Sequence, residues 1–118
     1  MGHPTIYPTG VTVYNPEKCW NGFTIFQALE VGAVLMNMNG RENKVWKGVH
    51  GFPNKIFPGG YLMTSRGSRD GRYGVQDGLD LVQIDWDGNV VWKFDRNEYI
   101  EDPGIPGRWM ARSHHDYQ

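Results

Sequence analysis

Two stretches of this chain can be laid over one another, and that repeat limits the fold more than any other feature. Residues 34–47 read VLMNMNGRENKVWK and residues 82–93 read VQIDWDGNVVWK. Each is an alternating strand, a turn at Asn39-Gly40 or Asp87-Gly88, and a second strand ending in Trp-Lys. Asn-Gly and Asp-Gly supply the positive φ angles that a tight hairpin turn requires, so both stretches are expected to be β-hairpins. The first copy carries two extra residues between Gly40 and Trp46.

The turn glycines are 48 residues apart and the tryptophans Trp46 and Trp92 are 46 apart. That period is close to the roughly 40–50 residues of one four-stranded propeller blade. The interval contains what a blade needs. NKIFPGGYLMTS (54–65) holds two short apolar strands around Pro58-Gly59-Gly60, and the polar stretch RGSRDGRYGVQDG that follows reads as a loop. The expected organisation is an N-terminal arm and first strand (1–31), an outer hairpin (32–51), one blade unit (52–95), and a loop leading into a further inner strand (96–118). Within the blade unit, KIF and YLM are the inner strands, and LVQIDW and NVVWKF the outer ones. A small β-sandwich is the competing architecture.

Composition agrees with an all-β chain, since 16 glycines, seven prolines and five tryptophans in 118 residues favour strands and turns over helices. Cys19 is the one cysteine and cannot form an internal disulfide. The net charge of −1, with basic and acidic residues interspersed, shows neither a nucleic-acid footprint nor a polybasic membrane anchor. No apolar run approaches the roughly 18 residues of a membrane-spanning helix. Met1-Gly2-His3-Pro4 lacks the charged and apolar regions of a signal peptide, so a cytoplasmic location is expected for the chain as written.

Blade sheets are apolar on both faces and must stack on neighbours, at least three repeats being needed to bury a continuous core. About one and a half blades are legible here. The expectation is therefore a partial β-propeller completed by another chain, with Trp46, Trp86 and Trp92 packing between sheets.

Several segments together resemble the N-terminal part of the arylsulfotransferase family. They are YPTGVTVYNPEKCWNGFTIFQ (7–27), GAVLMNMNGRENKVWKG (32–48), FPNKIFPGGYLM (52–63), DLVQIDWDGNVVWKFD (80–95) and the terminal HHDYQ (114–118). The resemblance implies a six-bladed propeller whose channel histidine takes a sulfuryl group from an aryl sulfate and passes it to a phenolic acceptor, without a nucleotide donor. It places that histidine at His115, with His114 and Asp116 beside it. It further implies a small aromatic substrate, and such relatives are often periplasmic; because relatives continue through several more blades after this motif, a second, larger polypeptide is expected to supply the remaining blades here.

The chemistry of RWMARSHHDYQ (108–118) suits that reading. Neutral imidazole is a good nucleophile near pH 7, and its other N–H can be held by a carboxylate. It can equally act as a general acid for a departing phenolate. Arg112 or Arg108 offers a fork of donors matched to sulfate oxygens. Successive strand residues face opposite sides, so only one of His114 and His115 can face a given cavity, and Asp116 would point with His114. His3 and His50 read as loop residues. Two histidines and an aspartate also suit a transition metal, but adjacent strand positions splay apart, so a metal site needs ligands from elsewhere. No resident cofactor is expected, and the metal ion is left open. The rival functions are a metal-dependent lyase or hydrolase on the same scaffold, and a non-catalytic propeller segment used in assembly.

Overall fold

The structure is a computed structural model and describes residues 11–74, 77–111, 113–114 and 116–117. Within them the chain is almost entirely β. The first sheet is an antiparallel meander of β1 (Phe23–Ala28), β2 (Gly32–Asn37) and β3 (Glu42–Lys47). The second begins with β4 (Lys55–Phe57) and β5 (Tyr61–Thr64). The chain then leaves it for one helical turn, α1 (Gly71–Gly74), and a short strand, β6 (Asp77–Gly78). It returns as β7 (Val82–Ile84) and β8 (Val90–Lys93), giving a four-stranded sheet in the order β4-β5-β7-β8. Those are the four strands, in the order, that the sequence assigns to one unit.

The repeat extends to fine detail. Gly40 and Gly88 close the two hairpins with φ of 75° and 93°. Each hairpin also bulges at the same place, between Leu35 and Met36 in the first and between Gln83 and Ile84 in the second. Counted back from the turn glycine, these are equivalent positions.

Register decides which side chains meet. Ile25 lies opposite Leu35, and Ala33 opposite Trp46, so these four share one face of the first sheet. In the second, Leu62 lies opposite Ile84 and Thr64 opposite Val82. The two faces pack together, burying Ala33, Leu35, Trp46, Val49, Leu62, Val82 and Ile84 with Ile25 against them. Trp46 is the largest of these. Its indole N–H donates to the Asp85 carbonyl at 3.0 Å, and its ring meets Trp86 edge-on at 5.4 Å. An indole can be buried this completely because its one polar atom is satisfied.

A buried amide network finishes one end of this interface. Gln27 donates to the Val49 carbonyl at 3.0 Å and accepts from Gly51 N at 3.2 Å and Asn54 Nδ2 at 3.0 Å. Asn54 Oδ1 in turn accepts from Thr64 Oγ1 at 2.7 Å. Gly51 admits no side chain, since a Cβ there would lie 2.1 Å from Asn54 Oδ1.

Two expectations change. Residues 96–118, read as a loop and the start of a strand, instead contain an antiparallel hairpin of β9 (Glu98–Asp102) and β10 (Ile105–Met110), followed by β11 (Ser113–His114), which pairs with β6. Pro106 and Gly107 argue against a strand by composition, but they fall where the register shifts between Ile105 and Arg108, a bulge that tolerates both. The tryptophans also divide. Trp46 is buried, Trp86 leans on it half exposed, and Trp92 remains 44% exposed. Trp92 pairs with Gln83, on the face of the second sheet turned away from the first, a face that also carries exposed Phe57 and Tyr61. Among the described residues no sheet closes on itself, and no helix is long and apolar enough to cross a membrane.

Truncating the interface and truncating the far face should therefore differ. Leu62→Ala is expected to cost about 3 kcal/mol, as for buried leucines generally. Trp92→Ser is expected to cost less than about 1 kcal/mol, as for exposed substitutions. Urea unfolding followed by circular dichroism measures both.

Candidate functional site

The strongest cluster of interacting polar side chains lies where the β5–β7 connection meets the C-terminal strands. Asp70 starts the connection's helical turn, its carboxylate accepting from Arg72 N at 3.0 Å and its carbonyl from Tyr73 N at 2.9 Å. Short polar side chains at this position satisfy backbone donors that a helix start leaves unpaired. The turn reverses the chain so that β6 runs antiparallel to β11, setting Asp77 directly opposite His114.

Asp77 is the hub. Its Oδ1 hydrogen-bonds His114 Nδ1, and its Oδ2 accepts from Arg69 Nη1 at 3.0 Å. Arg69 reaches on to Asp102 at the end of β9, donating through Nε at 2.9 Å and through Nη2 to the second oxygen. That two-point fork is the geometry for which guanidinium is suited. Tyr73 lies under the Arg69 guanidinium at 5.9 Å, and its hydroxyl donates to the Pro103 carbonyl at 2.6 Å. Three segments remote in sequence are tied by this chain of charges. The Asp77 side chain is only 14% exposed and that of Asp102 11%, whereas the His114 side chain is 53% exposed. The imidazole is thus the most solvent-exposed of these three side chains.

The carboxyl groups carry the electrostatic consequence. Burial pushes Asp77 up, but hydrogen bonds and charge from Arg69 and His114 more than offset it and leave it below the usual carboxylate range. The Arg69 hydrogen bond likewise holds Asp102 low. In exchange, those two carboxylates raise Arg69 further above its ordinary value. An imidazole whose Nδ1–H is held by a fixed carboxylate presents its lone pair at Nε2, the form needed for nucleophilic or proton-transfer work.

The residues singled out from sequence are distributed as follows. His114 takes the Asp77 position just described. Asp116, expected to orient a histidine, forms an ion pair with Lys55 at 2.6 Å, while its backbone N bonds the His114 carbonyl at 2.7 Å. His115 and Arg112 lie outside the described residues. Arg108, on β10, adds positive charge near Asp70 and Asp102. His50 is half buried against Phe52, its ring centroid 5.6 Å away. Tyr117 anchors the end of the chain: its hydroxyl reaches the carbonyls of Pro53 and Met63, and burial raises its pKa. With one proton, it can donate to only one of them at a time. Asp77 and Arg69, the residues that matter most to His114, escaped sequence reasoning. The only signal for them was the charge density of RDGRYGVQDGLD (69–80), read there as a flexible loop.

Among the described residues no cluster of three or more His, Cys, Asp or Glu side chains is arranged to hold a metal ion. The Arg69 guanidinium on Asp77 also opposes a second cation there.

The depressed carboxyls predict how stability depends on pH. An unfolded chain takes up these protons near pH 4 or so, and the folded chain only at lower pH. The stabilisation is thus complete above about pH 4 and is lost as pH falls through the lower folded-state values. Asp77→Asn should flatten this acid decline relative to the parent when urea midpoints are measured at successive pH values.

Comparison with protein-family models, with curated proteins and with solved structures returned no match.

Proposed function

We propose that this chain is the N-terminal part of an arylsulfotransferase-like propeller enzyme, with His114 carrying the sulfuryl group. The observation that supports this reading is the carboxylate-held imidazole: His114 on Asp77, with Asp77 fixed by Arg69. In the proposed reaction the His114 Nε2 lone pair attacks the sulfur of an aryl sulfate. The bond from sulfur to the phenolic oxygen breaks, and the phenolate leaves with a proton from a general acid. A phenolic acceptor then attacks the sulfuryl-histidine, returning its proton to the conjugate base of that acid as the N–S bond breaks and the neutral imidazole is restored. Asp77 stabilises the imidazole's positive charge during transfer. The charge of Arg69 is offset by two carboxylates, so this reading assigns the sulfate oxygens to Arg112 or Arg108.

The channel in this proposal is completed by further sheets on a second, larger polypeptide. The far face of the second sheet, where Phe57, Tyr61 and Trp92 are exposed, supports such completion. The same face favours the alternative in which this chain serves assembly alone.

Transfer of sulfate from 4-nitrophenyl sulfate to phenol, measured on the protein with whatever polypeptide copurifies, tests the reading. His114→Ala should lower the rate at least about 100-fold, the usual contribution of a group handling protons or covalent transfer. His115→Ala should leave most of the rate. Loss confined to His115→Ala would overturn the choice of carrier, and no transfer by the assembled protein would overturn the reaction.

A further inference from the structure

Away from His114, a cleft of 390 Å³ lies between the outer strands of the two sheets. β3 is the last strand of the first sheet and β8 the last of the second. Lys44, Val45, Trp46, Lys47, Gly48 and Val49 all line the cleft, facing Ile84, Gly88 and Val90. Consecutive strand residues point to opposite faces, so four in a row, Lys44 to Lys47 of β3, can border one cavity only if it runs along the backbone edge. Among the described residues, β3 pairs with β2 and with no other strand. Its outer N–H and C=O groups are therefore directed at the cleft.

The charge of the lining is one-sided. Lys44, Lys47 and Arg66 border it against the single carboxylate of Asp87. Arg66 is paired with Asp80, leaving the two lysines to set the potential. Lys44 is held in place by the rings of Trp46 and Trp86, its ammonium 5.8 and 5.4 Å from their centroids. Val90 and Ile84 supply an apolar wall across the gap.

We propose that this cleft binds an extended acidic peptide by strand addition to β3. Main-chain hydrogen bonds to the edge give such complexes their affinity, and alternate side chains give specificity. Residues of the incoming strand on the inner side would meet the aliphatic wall and Lys44, which shares the Trp46 face, and acidic residues on the outer side would meet Lys47. The inference does not depend on the sulfate-transfer reading, because none of its residues belongs to the His114 network.

The test is calorimetric titration of the protein with the blocked peptide acetyl-Glu-Val-Glu-Val-Glu-amide. Saturable binding is expected, weakened about ten-fold by the double change Lys44→Glu and Lys47→Glu, the size expected for two exposed charge reversals. If that variant loses its native circular dichroism, Lys44→Ala with Lys47→Ala replaces it, with a smaller loss expected. The same peptide N-methylated at alternate residues, which cannot pair with a strand edge, should not bind. Absence of binding, equal binding of the N-methylated peptide, or equal binding of the lysine counterpart would each overturn the proposal.

Discussion

The architecture depends on one contact, the apolar seam between two small sheets. A three-stranded and a four-stranded sheet have little interior of their own, and each gains one by covering the other. Trp46 matters most at this seam. It projects from β3 onto Val82 and Ile84's side of the second sheet, fixes its depth through the Asp85 carbonyl, and braces Trp86 from behind. The hydrogen bond and the ring contact are directional where the aliphatic contacts are not, so together they set how the sheets sit on one another. The Gln27–Asn54–Thr64 network performs the same service at one end, where a sliding sheet would leave amide groups buried without partners.

Once the sheets are placed, the long connection from β5 to β7 has a defined course, and the charged cluster follows from it. Four polar side chains from three segments meet there, and none could be held by its own segment alone. Asp77 comes from a two-residue strand and His114 from another, each too short to persist unaided. Arg69 compensates for this. By bonding both Asp77 and Asp102 it ties β6 to the β9–β10 hairpin, leaving β11 to add to an edge already fixed. The rigidity that would orient an imidazole for chemistry is the rigidity that docks the last strand.

The hairpins were legible because turn chemistry is local. Asn39-Gly40 and Asp87-Gly88 state their own backbone angles, and the alternation on either side states which face is buried. The β4–β5 pair was legible for the same reason. The β9–β10 hairpin was not, because Pro106 and Gly107 sit inside a strand at a bulge, where tertiary pairing overrides composition. The site was half legible. His114 stands out as one of two adjacent histidines, but its partner lies 37 residues earlier, in a segment whose glycines and charges look like loop. No spacing rule links two residues brought together by a strand pair that itself exists only after the sheets have packed. Asp116, adjacent in sequence, was the natural partner to expect. The chain instead directs it to Lys55, across the β4 edge.

The repeat also explains why two equivalent tryptophans have different fates. Trp46 and Trp92 end matching strands, and the matching bulges keep them on matching faces of their hairpins. In the first hairpin that face carries Ala33 and Leu35 and is covered by Leu62, Val82 and Ile84. In the second it carries Gln83 and remains exposed. Val82 and Ile84, which do the covering, occupy the opposite face of the second hairpin, where the first has Val34 and Met36. The contact between the sheets is therefore head to tail: the first offers its Trp46 face and the second the face opposite Trp92. A surface that covered Trp92 as Trp46 is covered would present aliphatic side chains in the pattern of Leu62, Val82 and Ile84.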